Sequence, residues 1–316
     1  MARTPLSGTQ YTLRAGDDEA VIASVGASLR SYRHGERDLV VPFEADTVRP
    51  AYRGSTLAPW PNRVVDGRYE FGGVEHQTAI TEPTRGHALH GLVAWLDFDA
   101  IDRGTDHVTL AATVEAQTGY PWRVRIETRY ELGVDGLTQT VTAVNESDDP
   151  VPFGTGPHPY LVAGVNPLDT WVLELPADTV LEVTPDRLSP VATAGVESDA
   201  DRFDFREPRV LGAVEIDHAY THLSRDESGM ATVRVTDPAA GTGVQITWDA
   251  ACPWVQVHTA DQPDGPGTPG HRAGLAVEPM TCAPDAFNAA RYDYDTGLIV
   301  LQPGERATAS WRISTL

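Results

Sequence analysis

The chain contains no lysine: all 24 of its basic residues are arginine. Chemistry that runs through a lysine amine is thereby excluded, which removes Schiff-base aldolases, pyridoxal-phosphate enzymes and Walker-type phosphate loops. Cysteine is nearly absent as well. Cys252 and Cys282 are too few for a disulfide framework and lack the spacing of a structural zinc site, so two reduced thiols are expected. Positive charge is scarce, and a net charge of −21 argues against binding nucleic acid or an anionic membrane. No apolar run approaches the roughly 18 residues that a membrane span needs. The start, MARTPLSGTQYTLRAGDDE, lacks the apolar core of a secretion signal and reads as cytoplasmic. Helical periodicity is missing too: no segment of a dozen residues shows it, and 28 glycines and 24 prolines interrupt the chain throughout.

What is present is alternation. In WRVRIETRYEL, Trp122, Val124, Ile126, Tyr130 and Leu132 share one face, while Arg123, Arg125, Glu127, Arg129 and Glu131 share the other, the pattern of a half-buried strand. VTLAATVEA (108 to 116), GVQITWDA (243 to 250) and ATASWRI (307 to 313) repeat it, separated by turn signals such as Asp66-Gly67, Gly72-Gly73, Asp135-Gly136 and Asp264-Gly265. These features predict an all-β fold, a large sandwich, with residues 1 to 316 forming a single large domain. The segment ADQPDGPGTPGHR (260 to 272) reads as a surface loop, because strand patterns lie close on both sides.

Several short segments carry candidate chemistry. In GTGPHPYL, two prolines hold His158 in a stiff, extended segment, and Gly154 and Gly156 are expected to admit unusual turns. In CPWVQVHTA, alternation places Trp254, Gln256 and His258 on one face, like the wall of a polar pocket. His87 and His90, three apart, would point to opposite faces of a strand, which disfavours a joint metal site. Glu278, after Leu275-Ala276-Val277 and before Pro279, reads as a carboxylate at the end of a buried strand, and Asp217 is a second candidate of that kind.

Taken together these pieces form an ordered set. Gly26-Ala27-Ser28-Leu29, Leu39-Val40, Asn62-Arg63, GRYEFGG (67 to 73), Leu89-His90-Gly91 and Gly119-Tyr120-Pro121 come first. His158-Pro159-Tyr160, Phe203-Asp204-Phe205-Arg206, Asp217, Gln256, Glu278, Pro284-Asp285 and Asn288 follow. In this order and approximate spacing they resemble the aldose 1-epimerase (galactose mutarotase) family. The resemblance implies a galactose mutarotase-like β-supersandwich that uses no metal and no cofactor. It implies an isomerase that interconverts the α and β anomers of a free aldose such as glucose or galactose, a small-molecule partner met as monomer or homodimer. By the resemblance, Glu278 falls on the catalytic base, His158 on the catalytic acid and His90 on a second active-site histidine near the ring oxygen. Asn62, Arg63, Asp217 and Gln256 fall on substrate-binding positions.

The chemistry accounts for these residue types on its own terms. Opening a hemiacetal ring requires taking the proton of the anomeric hydroxyl and giving one to the ring oxygen, which a carboxylate and an imidazole can divide. Trp60, Trp95 and Trp254 are the tryptophans available to pack on a pyranose face. The glutamate is followed by Pro279-Met280, where many galactose mutarotases have a glutamine two places on, so sugar preference stays open. Three rivals remain. A hexose-6-phosphate or sulfosugar 1-epimerase on the same fold would need an arginine cluster, with Arg53, Arg63 and Arg85 available. The others are a non-catalytic carbohydrate-binding protein and a metal enzyme using His87, His90 and Glu278.

Overall fold

The alternating segment around residue 128 forms strand Val124–Gly133, in which Val124, Ile126, Thr128, Tyr130 and Leu132 are buried and the intervening arginines and glutamates face outward. It pairs antiparallel with His107–Val114 on one side and Gly136–Asn145 on the other. In the computed structural model, which describes residues 3–316, these strands belong to a nine-stranded sheet. From one edge it runs Asp99–Arg103, His107–Val114, Val124–Gly133, Gly136–Asn145, Arg306–Thr315, Thr242–Trp248, Ala231–Asp237, Val172–Glu174 and Arg209–Val210. The chain's last strand thus sits mid-sheet, where Ala309, Trp311 and Ile313 are buried as their alternation requires.

A six-stranded antiparallel sheet carries the segments of chemical interest. Its order is Tyr160–Leu161, Leu275–Met280, Trp254–His258, Asp217–Leu223, Ala177–Val183 and Pro190–Gly195. A four-stranded sheet is built from residues 10 to 38. One continuous apolar core joins all three, since Ile126 and Tyr130, Val255 and Val257, and Ile22 and Tyr32 belong to the same packed cluster. Two polar groups stitch it internally: the Tyr130 hydroxyl donates to Ala27 O at 2.8 Å and the Trp311 indole to Gln139 Oε1 at 3.0 Å.

The only α-helix among the described residues is the four-residue turn Ala200–Phe203, so the expected all-β architecture is what forms. Among the described residues, no helix is long and apolar enough to cross a membrane. Cys252 and Cys282 are free and buried, as expected. Gly72-Gly73 closes the Arg68–Phe71/Val74–Gln77 hairpin. The 260 to 272 segment is a loop without strand or helix, tied down by Arg272, whose guanidinium donates to Gly212 O, Val214 O, Asp169 and Asp261.

Candidate active site

Strand register assembles one wall of the site. Glu278 lies opposite Gln256, and Asp217 lies opposite His258, so three adjacent strands present four polar side chains on a common face. Glu278 is not at a strand end, contrary to the expectation drawn from Pro279: the strand continues to Met280. The amides of Val277 and Thr281 donate to Pro159 O and Thr155 O, and alternation turns the missing N–H of Pro279 to that same edge. Proline therefore costs no bond to the Gln256 strand.

His158 comes in along that edge. Its segment pairs with Thr56–Leu57 through Gly156-Pro157 and with Leu275-Ala276 through Tyr160-Leu161. The His158 backbone is held on both sides, its N–H donating to Ser55 O at 3.1 Å and its carbonyl accepting from Gly54 N at 2.7 Å. Gly154 and Gly156 are not in the left-handed region, contrary to the expected unusual turns. They are needed for close approach instead, because a side chain at 154 would strike Cys282 Sγ and one at 156 the Pro279 carbonyl.

His90 and Asn62 occupy facing turns, both with left-handed backbone at φ 61° and 55°. They bond reciprocally: His90 N–H donates to Asn62 O at 2.7 Å, and Asn62 N–H donates to His90 Nδ1 at 3.2 Å. An accepting Nδ1 leaves the ring proton on Nε2. Beside them, Gly91 has φ 73°, and a methyl group there would be driven into the Ala58 carbonyl. Gly91→Ala is expected to cost at least about 1–2 kcal/mol from the left-handed backbone alone, read as a lower denaturation midpoint in urea.

The seven expected site residues, Asn62, Arg63, His90, His158, Asp217, Gln256 and Glu278, line one cavity of about 300 Å³, together with Tyr52, Tyr160, Arg85, His258 and the Asp261–Pro263 stretch of the loop. His158 Nε2 is 3.4 Å from Glu278 Oε1. Its ring lies near-parallel to Tyr160 at 5.1 Å and meets the His90 ring edge-on at 4.9 Å. Gln256 Nε2 donates to Asp217 Oδ1 at 2.6 Å. Glu278 Oε2, His158 Nδ1 and Gln256 Oε1 are buried without a hydrogen-bond partner.

Electrostatics separate the two carboxylates. Burial, then the charge of Asp217, pushes Glu278 well above its ordinary value, with Arg63 pulling the other way. Burial acts on Asp217 too, but His258, Arg63 and the Gln256 hydrogen bond outweigh it and hold Asp217 below the ordinary range. Burial, reinforced by His258, pulls His158 down to about 3. His90 lies well below its ordinary value through burial, His158 and Arg63. At 3.4 Å, Glu278 and His158 have the spacing of an ion pair, yet burial drives each toward its uncharged form.

A larger depression of about 850 Å³ lies between the Arg68–Gln77 hairpin and residues 287 to 291. Its carboxylates, Glu70 and Glu75, are solvent-exposed. The smaller cavity is where shifted carboxyl and imidazole groups, those of Glu278, Asp217, His158 and His90, face one another.

The family model for aldose 1-epimerase matches residues 9–314. The chain belongs to the aldose 1-epimerase family. Among its relatives, the uncharacterized protein YihR of Escherichia coli (strain K12) is 31% identical over 300 residues, covering 95% of this chain and 91% of the relative. The galactose mutarotase of Mus musculus is 25% identical over 325 residues, covering 94% and 90%. Among solved structures, the GalM/aldose epimerase homologue of C. elegans superposes with a TM-score of 0.82 at 20% identity, over 98% of this chain and 99% of that one, which shows the shared fold. As a member of the aldose 1-epimerase family, the protein is an isomerase.

Other expectations fare differently. None of the three tryptophans lines the cavity. Trp60 is in the core against Phe287, Trp254 packs on Tyr294, and Trp95 is exposed beneath Arg49. Tyr52 and Tyr160 are the aromatic rings present. His87 points away from the cavity, its Nδ1 accepting from Asp66 N and its Nε2 donating to Arg187 O at 2.9 Å. No group of three metal-ligating side chains forms among the described residues, so the metal enzyme built on His87, His90 and Glu278 is not assembled. The arginine cluster is likewise incomplete. Arg63 and Arg85 share Glu82, while Arg53 lies over the Tyr160 ring outside the cavity lining.

Tyr160 was within reach of sequence reasoning, two residues from His158 in an extended segment. Tyr52 was not, because its left-handed backbone at φ 52° follows no strand or helix period.

Proposed function

We propose that the protein catalyses mutarotation of a free aldose such as glucose or galactose, with Glu278 as base, His158 as acid and His90 donating Nε2–H near the ring oxygen. The observation that carries this reading is the buried contact of Glu278 with His158, each retaining one unpartnered polar atom. The pair shares one proton, as neutral carboxyl and imidazole or as carboxylate and imidazolium. A sugar whose anomeric hydroxyl donates to Glu278 and whose ring oxygen accepts from His158 favours the second form, because both charges then gain hydrogen bonds.

From that state the carboxylate takes the O1 proton as the C1–O5 bond breaks, O1 becomes the carbonyl oxygen, and O5 takes the imidazolium proton. Rotation about C1–C2 presents the other carbonyl face. O5 returns its proton to His158 and attacks C1, and Glu278 returns its proton to O1, giving the opposite anomer with the enzyme unchanged. Asp217 accepts from sugar hydroxyls, and Gln256 Oε1 supplies a second acceptor. Arg63 orients an oxygen near C1. Tyr52 and Tyr160 present ring faces to the pyranose.

Polarimetry of freshly dissolved α-D-glucose, α-D-galactose and α-D-glucose 6-phosphate tests the reading. Acceleration above the buffer rate with a free aldose is the expected result. Acceleration with the phosphate ester alone would replace the free aldose as substrate, and binding of all three sugars with no acceleration would reduce the protein to a carbohydrate-binding one.

A further inference from the structure

We propose that Glu82 is a positioning residue for the reaction proposed above, holding the Arg63 guanidinium in one plane and away from the carboxylates of Glu278 and Asp217. Arg63 Nε donates to Glu82 Oε2 at 2.8 Å and Arg63 Nη2 to Glu82 Oε1 at 3.0 Å, a two-pronged pairing that fixes both the direction and the rotation of the guanidinium. Nη1 reaches Asn62 Oδ1 at 3.3 Å, so the plane is set from two sides. Three carboxylates attract this guanidinium, those of Glu82, Asp217 and Glu278, and Glu82 alone is hydrogen-bonded to it. Glu82 is itself buried and does not line the cavity.

Released from Glu82, a buried guanidinium has strong reason to find another carboxylate. The nearest alternatives are Glu278, whose Oε2 is free, and Asp217. Either capture would consume an oxygen that the proposed chemistry uses. Glu82 is well placed to prevent it because its own turn is rigid. Glu82 N donates to His87 O at 3.0 Å, Gly86 N donates to Glu82 O at 2.8 Å, and the buried His87 ring ties the turn to Asp66 and Arg187. His87, unused in the cavity, thereby acquires a structural task. Arg85 Nη1, bonded to Glu82 Oε1 at 2.8 Å, rests on the same carboxylate at the cavity rim.

The test is a double-mutant cycle on the full chain with Glu82→Gln, Arg63→Gln and the two combined, using the aldose that the wild type accelerates. Glu82→Gln is expected to lower kcat at least about tenfold, the scale of losing one charge-assisted pairing. Added to Arg63→Gln, it is expected to change kcat by less than about twofold. Glu82→Asp, which keeps the charge one methylene short, is expected to recover part of the loss and replaces Glu82→Gln in the cycle if that variant does not fold. Losses that multiply in the double variant would overturn the proposal, as would an unimpaired Glu82→Gln.

A crystal structure of the Glu82→Gln or Glu82→Asp protein reads the same point without turnover. The expected result is the Arg63 guanidinium within hydrogen-bond distance of Glu278 or Asp217, and an unmoved guanidinium overturns the proposal. A wild type that accelerates no aldose would instead be a failure of the mutarotase reading, and the crystal structure would still decide the role of Glu82.

Discussion

Glu278→Gln is expected to lower kcat for mutarotation by about a thousandfold, within the range that general-base catalysis supplies, while leaving the fold intact. Glutamine keeps the shape and one acceptor oxygen opposite Gln256 but has no basic site for the anomeric proton. The same substitution is expected to raise thermal stability at neutral pH. Burial and Asp217 hold Glu278 above its unfolded value of 4.5, so the folded state binds this proton more tightly than the unfolded state does. That contribution is fully present below pH 4.5 and is lost as pH rises toward the folded value. Glutamine does not titrate. The gain in Tm of Glu278→Gln over wild type should therefore be smallest at pH 4.5 and grow as pH rises, which calorimetry at several pH values measures. An active residue whose removal both stops turnover and stabilises the fold is one held in place against its own solvation preference.

His158→Asn is expected to lower kcat by about a hundredfold or more, because asparagine can still donate a hydrogen bond but cannot deliver a proton to the departing ring oxygen. Its pH signature has the opposite sign from that of Glu278. Burial and His258 depress His158 from 6.5 to about 3, so as pH falls below 6.5 the unfolded chain takes up a proton that the folded chain refuses. Stability is lost through that window, from pH 6.5 down to about 3. The His158→Asn protein should lose less stability than wild type across the same interval, as measured by urea denaturation at pH 7 and pH 4.5. Equal losses in both proteins would contradict the burial assigned to this ring.

The fold was legible wherever one face of a strand is buried and the other is wet, because the period of two is then written directly in residue type, as in Val124–Gly133. Alternation also brought Gln256 and His258 to one wall. It misplaced Trp254, two residues before Gln256 on the same face, because that face passes from cavity to core along the strand. Pro279 read as a strand end because the rule against proline in a strand does not record which edge the missing N–H would face. Gly154 and Gly156 read as turn formers because sequence does not distinguish a residue chosen for backbone freedom from one chosen for lack of volume. Joining Asn62, His90, His158, Asp217, Gln256 and Glu278 into one group required the family resemblance, since sheet order and not chain order makes them neighbours. Glu82 lies in a short polar turn, TEPTRG, that looks solvated until the structure shows where its carboxylate goes.

The most direct test of the central claim is exchange NMR on an equilibrated solution of C1-labelled glucose or galactose, comparing wild type with Glu278→Gln. The account predicts α-to-β cross-peaks that build up faster than in buffer with wild type and at close to the buffer rate with the variant. Equal acceleration by both proteins would contradict the assignment of Glu278 as the base.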